Sequence, residues 1–273
     1  MVRAKTTSRN RRIYLVLMGI CIIGFWLFDN FYTPDTYSDS GSEEMHIHIP
    51  LNFYPNSTTG VIVEHSYFVL SYNDPYEQAE WVAYTLNKKH ITNDQRNRPY
   101  FIEDPKVPSK SADWRNYRSS GYDRGHLCPA GDRRFSEQAY NETFYTSNIS
   151  PQKGDFNAGV WNRLEMKIRQ WAKRYNEVFI VTGGVLEEGL EEIGDEDVDV
   201  PRYFYKIIAR GTPENPKIMA FLFKAEESTR PLTDFVVSVD EVEALTGIDF
   251  FENLPDASEA ILENEINLQE WKF

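Results

Sequence analysis

Apolar and polar positions divide this chain into stretches of different character. An unbroken apolar run of 16 residues covers Ile13 to Phe28. Arg3, Lys5, Arg9, Arg11 and Arg12 precede it, Asp29 and Asn30 end it, and Phe31 and Tyr32 follow. Basic flank, apolar core and interfacial aromatics describe a membrane segment whose basic end stays in the cytoplasm. No small-x-small cleavage site follows, and Ile20 before Cys21 is a poor lipoprotein signal. Residues 1–12 therefore read as a basic cytoplasmic flank, and 13–32 as a transmembrane signal anchor in preference to a cleaved signal peptide. The rest of the chain then lies outside the cytoplasm, in a single-pass protein of the cell envelope. A secreted form or the mitochondrial inner membrane are the alternatives.

Residues 33–44 are rich in Ser, Asp, Gly and Thr and read as a linker. From Met45 onward the pattern changes to short strand-like runs. Val61–Val63 and Tyr67–Tyr72 are β-branched and aromatic runs bounded by turn residues, and predict strands. Glu77–Asn87 has a helical look. Lys88–Ser120 has weak periodicity and many turn residues, which predicts a long irregular segment of the kind that often carries function. Val178–Val181, ending in Gly183-Gly184, predicts a buried strand. Arg202–Ala209 and Lys217–Phe223 predict two more, turning at Gly211 and Pro213, and Val239–Thr246 a helix entered from Ser238. After Gln152, the residues Val160, Trp161, Leu164, Ile168, Trp171 and Tyr175 form one apolar helical stripe. At 100° per residue Asn157 falls in the middle of that stripe, and Glu165 about 80° round, at its edge. An inward amide needs a partner. A bound cation would supply one for its carbonyl oxygen; the alternative is that Asn157 simply caps the helix. Strands and helices mix without regular alternation, so the expected class is α+β over a single domain, 45–273.

Bulk composition adds two constraints. With 273 residues, 41% hydrophobic and 14% aromatic, the chain can bury a substantial core. A net charge of -13 argues by itself against a phosphate-bearing partner. The charge is uneven, however. Lys106 to Arg134 holds seven basic residues against three acids, whereas Glu187 to Asp199 holds eight acids and no base. A basic face on an acidic body is compatible with phosphate binding. Cys21 and Cys128 are the two cysteines, one in the apolar run, so neither a disulfide staple nor a zinc-ligand pair is expected.

The candidate chemistry centres on Asp123-Arg124-Gly125-His126. An adjacent cation helps keep the imidazole neutral, and a neutral imidazole can act as a general base. Arg124 could hold a phosphate through paired hydrogen bonds. Read alone, the four residues are equally a charged turn with a structural histidine.

Together with Ser147-Asn148, Pro151-Gln152, Asn157, Trp161 and Leu164-Glu165 in register downstream, this motif resembles the DRGH-type non-specific DNA/RNA endonucleases (endonuclease G-like) of the ββα-metal superfamily. The resemblance is close over Ser119–Trp171, looser over Tyr67–Asp104, and returns at Glu241-Val-Glu and Thr246-Gly-Ile-Asp-Phe-Phe251. It implies a ββα-metal finger on a central antiparallel sheet, here preceded by one transmembrane helix. It implies His126 as general base, Asn157 as direct ligand of Mg²⁺ (or Mn²⁺), and Glu165 as a ligand through water. It places Arg124 near the phosphate and Asn148 as a support on the second hairpin strand. A further upstream phosphate-contacting arginine is expected, Arg98 in preference to Arg96. DNA and RNA are the implied substrates, and a homodimer is compatible with the family.

Other features carry less. Cys128, two residues from His126, invites a thiol nucleophile, but the two-motif match accounts for His126 better. His46 and His48 have strand spacing for metal ligands without a third, and read as an exposed edge strand. Glu187–Asp199 lacks the alternating pattern of a Ca²⁺ loop and reads as a solvated loop. The functional alternative is a membrane-anchored nucleic-acid-binding or uptake protein without hydrolytic activity.

Overall fold

The computed structural model describes residues 3–37, 53, 55–212, 215–253, 263–264 and 266–273. The chain divides into two compact units, Met1–Asp35 and Thr36–Phe273. The first is helix α1, Arg3–Phe31. Within it, Arg9–Phe28 is long and apolar enough to cross a membrane, and none of that window is buried. Ile13, Val16, Ile20, Ile23 and Trp26 are all more than half exposed.

The second unit is α+β, built on a seven-stranded sheet in the order β1-β2-β3-β6-β9-β10-β11 with every neighbouring pair antiparallel. The strands are β1 (Val61–Glu64), β2 (Val69–Asn73), β3 (Gln78–Asn87), β6 (Glu177–Gly184), β9 (Tyr203–Thr212), β10 (Asn215–Lys224) and β11 (Val236–Val237). Side chains alternate between faces along each strand. Val82, Tyr84, Ile180, Phe204, Ile208 and Phe221 pack with Trp161, Leu164, Ile168 and Trp171 on one face. Trp81, Ala83, Val181, Tyr205 and Ile207 pack on the other with Val242, Phe250 and Phe251. The sheet is thus covered on both sides: by α4 (Asn162–Tyr175), and by α5 (Val239–Thr246) with the segment after it. Ser238 caps α5 by accepting from the Glu241 amide, and Gly247 closes it in the left-handed conformation at φ 69°.

Two expectations are corrected. The Glu77–Asn87 segment is not a helix; it is β3, a central strand. Both of its faces are buried, which erases the polar alternation that marks a half-exposed strand. Glu80 supplied the misleading polarity. It is buried and accepts from Ser57 Oγ (3.0 Å), the Thr58 amide (3.1 Å) and Ser71 Oγ (2.6 Å). The acidic stretch Glu187–Asp199 is not simply a solvated loop either. It holds a hairpin, β7 (Glu191–Ile193) with β8 (Val198–Val200), whose Ile193, Val198 and Val200 enter a third apolar cluster. His46 and His48, most of the linker 33–44, and Pro213 lie outside the described residues.

Candidate active site

A separate hairpin carries the Asp-Arg-Gly-His motif. Strand β4 (Asp123–His126) pairs antiparallel with β5 (Ile149–Gln152), setting Arg124 against Pro151 and His126 against Ile149. The period of two puts Arg124 and His126 on one face and Asp123 and Gly125 on the other. At Gly125 a side chain would collide with that of Gln152, so the glycine permits the close approach. Asn148 stands immediately before β5, closing a 3₁₀ turn (Thr146–Asn148), and not on the strand itself. It is fully buried. Its Oδ1 accepts from the Cys128 amide (2.8 Å), and its Nδ2 donates to the carbonyls of Cys128 (3.0 Å) and Thr143 (2.9 Å). The long return from β4 to β5, which carries helix α2 (Glu137–Glu142), is therefore held at the exit from His126.

The His126 ring packs against Phe144 at 4.8 Å and Phe101 at 5.6 Å between centroids. Its Nε2 is enclosed and meets no hydrogen-bond partner among the described residues. Burial first, and then the positive charge of Arg98, push the imidazole down to about 3, so it is neutral near pH 7. Phe101 gathers the cations. The guanidinium of Arg98 lies 5.3 Å from its ring centre and that of Arg124 4.8 Å, a cation–π arrangement. Neither arginine forms an ion pair among the described residues, and Arg98 lowers Arg124 after burial does. Arg96 is engaged elsewhere, donating to the Arg134 carbonyl at 2.8 Å.

The other half of the site is helical. A short α3 (Gly154–Phe156) runs through a π turn (Asn157–Trp161) into α4, with a kink at Gly159, φ -94° and ψ -112°. Glu227 accounts for the kink: its Oε2 accepts from the Val160 amide at 2.8 Å, where a side chain on residue 159 would collide with it. The wide turn also breaks the 100° projection. Asn157 is half-buried rather than central to the apolar stripe, and it is not an N-cap. Its Nδ2 donates to Asp123 Oδ2 at 3.1 Å, tying the helix start to the hairpin. That leaves the amide carbonyl oxygen for another partner. Asp123 precedes His126 by three residues, about 10 Å of strand. Asn157 is thus joined to the hairpin rather than to the histidine itself.

Glu165 lies two helical turns beyond Asn157 and accepts from Arg169 Nη2 at 3.3 Å. Arg169 also pairs with buried Asp132 at 2.5 Å. Burial raises Glu165, while Lys206 and Arg169 oppose the rise. Lys206 is itself fully buried and pushed down to about 8 by that burial, against the pull of Glu165 and Asp132.

Arg169, Asp132 and Lys206 were missed in the sequence. Arg169 had a signal in its i+4 spacing from Glu165. So did Lys206, as a lone cation inside the run Tyr203–Ala209. Asp132 had none. Cys128 is buried and its thiol is pushed up to about 12, so it is not a nucleophile.

Asn157 and Glu165 offer hard oxygen donors, which suit Mg²⁺ with several retained waters. The described residues also contain one cluster of three carboxylates, Asp240, Glu243 and Glu263, which includes neither. Two surface cavities, of about 370 Å³ beside Pro151 of β5 and about 650 Å³ between residues 113–120 and 191–196, do not contain His126. A polymer backbone needs an open face rather than an enclosed pocket.

Residues 51–257 match the family model described as DNA/RNA non-specific endonuclease. The mitochondrial nuclease EXOG of Mus musculus is 38% identical over 203 residues, covering 68% of this chain and 55% of that protein. The mitochondrial nuclease of Saccharomyces cerevisiae is 34% identical over 226 residues, covering 74% and 69%. A crystal structure of the EndoG/EndoGI complex superposes with a TM-score of 0.66 at 32% identity, covering 71% of this chain and 86% of the other. The chain spans little more than half the length of its mouse EXOG relative. With the family model covering well over half the chain and the fold shared with EndoG, this chain belongs to the DNA/RNA non-specific endonuclease family.

Proposed function

We propose that this protein is a metal-dependent endonuclease that hydrolyses phosphodiester bonds of DNA and RNA with low sequence specificity. One observation carries the reading. A neutral imidazole with one nitrogen enclosed stands beside two guanidinium groups that share a phenyl ring and have no carboxylate partner among the described residues. Two like charges held together in this way call for an anion between them.

Water cannot reach the enclosed Nε2, so Nδ1 is the nitrogen that takes a proton from the attacking water, and Nε2 carries the hydrogen of the neutral tautomer. Arg124 and Arg98 hold the phosphate oxygens. The Asn157 carbonyl oxygen would hold Mg²⁺ or Mn²⁺, with Glu165 assisting through water. When bound, the ion would neutralise charge building on the phosphate and the leaving oxygen. Contacts of this kind go to phosphate and carry no base information, hence the low specificity. The reading includes α1 as a single-pass membrane anchor. The mitochondrial names of the animal and yeast relatives favour a mitochondrial membrane over a bacterial envelope.

A plasmid-nicking assay with Mg²⁺ and with EDTA tests it. Removal of the metal by EDTA abolishes nicking. His126→Ala lowers kcat by about 10³-fold while a gel shift shows DNA still bound. A chain that binds but never nicks is the uptake protein instead, and normal cutting by His126→Ala removes histidine as the base.

A further inference from the structure

Lys206 occupies a position that packing alone would give to an aliphatic residue. Alternation along β9 puts it on the α4 face with Phe204 and Ile208, and it is fully buried. No carboxylate lies within ion-pairing distance of it among the described residues. Its Nζ instead donates to the Leu127 carbonyl at 3.2 Å and to Thr182 Oγ1 at 3.1 Å, and stands 4.4 Å from the centre of the Trp161 ring. Thr182 is its register partner on β6. The threonine hydroxyl is itself turned by donating to the Tyr205 carbonyl at 2.9 Å, which presents its lone pair to the ammonium.

These contacts fall at informative places. Leu127 is the residue after His126. Trp161 lies four residues after Asn157 and four before Glu165, in the π turn itself. A buried charge without an ionic partner lowers stability, and an apolar residue of similar volume is often the more stable choice. The gain from Lys206 is geometric: one ammonium joins the exit of the histidine strand, the sheet and the metal-bearing helix.

We propose that Lys206 is a positioning residue that fixes the spacing between the His126 hairpin and the Asn157–Glu165 helix. The proposal rests on the nuclease reading above. Lys206 is fully buried, and it acts through Leu127 and Trp161. Its loss therefore reaches the hydrolytic step and spares substrate binding, which belongs to Arg98 and Arg124.

The experiment uses the full chain in detergent micelles, nicking supercoiled plasmid under saturating Mg²⁺, with the melting temperature measured alongside. Lys206→Met keeps the length and volume and removes the charge. We expect kcat to fall about 100-fold, the effect of misplacing reacting groups by about 1 Å, with KM for DNA within about twofold of the parent and Tm equal or higher. Thr182→Val keeps the cation and removes one acceptor, and should give a smaller kcat loss of about fivefold, again with KM unchanged. A folded Lys206→Met chain with parental kcat overturns the proposal. So does a kcat loss matched by a rise in KM and a fall in Tm, the mark of a merely structural role. Should Lys206→Met fail to fold, Thr182→Val decides: parental kcat in that variant overturns the clamp as well. Nicking by the parent reports the nuclease reading separately, and the ring resonances of His126, compared by NMR in parent and variants, report its displacement even without turnover. Unmoved resonances reject the proposal.

Discussion

At the scale of single residues, His126 is held neutral by burial and by Arg98, and this has a consequence for stability. Its folded value, about 3, lies below the ordinary histidine value of 6.5. Between those two pH values the unfolded chain binds a proton that the folded chain refuses. Stability therefore rises with pH across that window and is lost as pH falls through it. His126→Gln removes the proton-binding difference. Urea unfolding at pH 7 and pH 4.5 should show a smaller acid loss in that variant than in the parent, and equal losses would contradict the assignment. Asn157 makes a different prediction. Asn157→Ala should raise the Mg²⁺ concentration for half-maximal nicking at least tenfold, and an unchanged Mg²⁺ requirement would remove it as the ligand.

At the scale of elements, two features invite measurement. The hairpin β7–β8 buries Asp199, whose carboxyl is raised to about 6 by desolvation and then by Glu192 and Asp197. A raised carboxylate lowers stability above its folded value and not below its unfolded one. Asp199→Asn should therefore stabilise by roughly 1 kcal/mol at pH 7.5, allowing for solvent screening, or about 2–4 °C in Tm, and by nothing at pH 3.5. The kink at Gly159 gives the second. Gly159→Ala forces Glu227 off the Val160 amide and should cost about 1–3 kcal/mol, read as a lower urea midpoint.

The same elements show where sequence patterns speak and where they fall silent. The stripe from Val160 to Trp171 was plain, because one face of α4 meets the sheet and the other meets water. Strands β6, β9 and β10 were equally legible as apolar runs. β3 was misread because both its faces are covered and Glu80 is hydrogen-bonded by hydroxyls brought from Ser57 and Ser71, partners no local window reveals. Asn157 was found as a residue of interest. Its orientation was not, since the π turn depends on Glu227, seventy residues downstream. The motif around His126 was legible, whereas Phe101, which collects its cations, sits in an irregular segment without periodicity.

At the scale of the whole molecule, α1 and the endonuclease-family unit are separate compact bodies. The fold of Thr36–Phe273 has its own two-sided core, so removal of residues 1–35 should leave a soluble, folded chain with parental nicking rates. The full chain should sediment with membranes and resist extraction by salt. Release of the full chain by salt alone would argue against a spanning helix.

The sealing of Cys128 beneath α4 has one more implication. The other cysteine belongs to α1, so the folded unit offers no accessible thiol to glutathione or a wandering disulfide. Its thiol state is the same in a reducing matrix and in an oxidising lumen, and whichever side of a membrane receives it, the thiol–disulfide buffer there finds no partner on the folded unit.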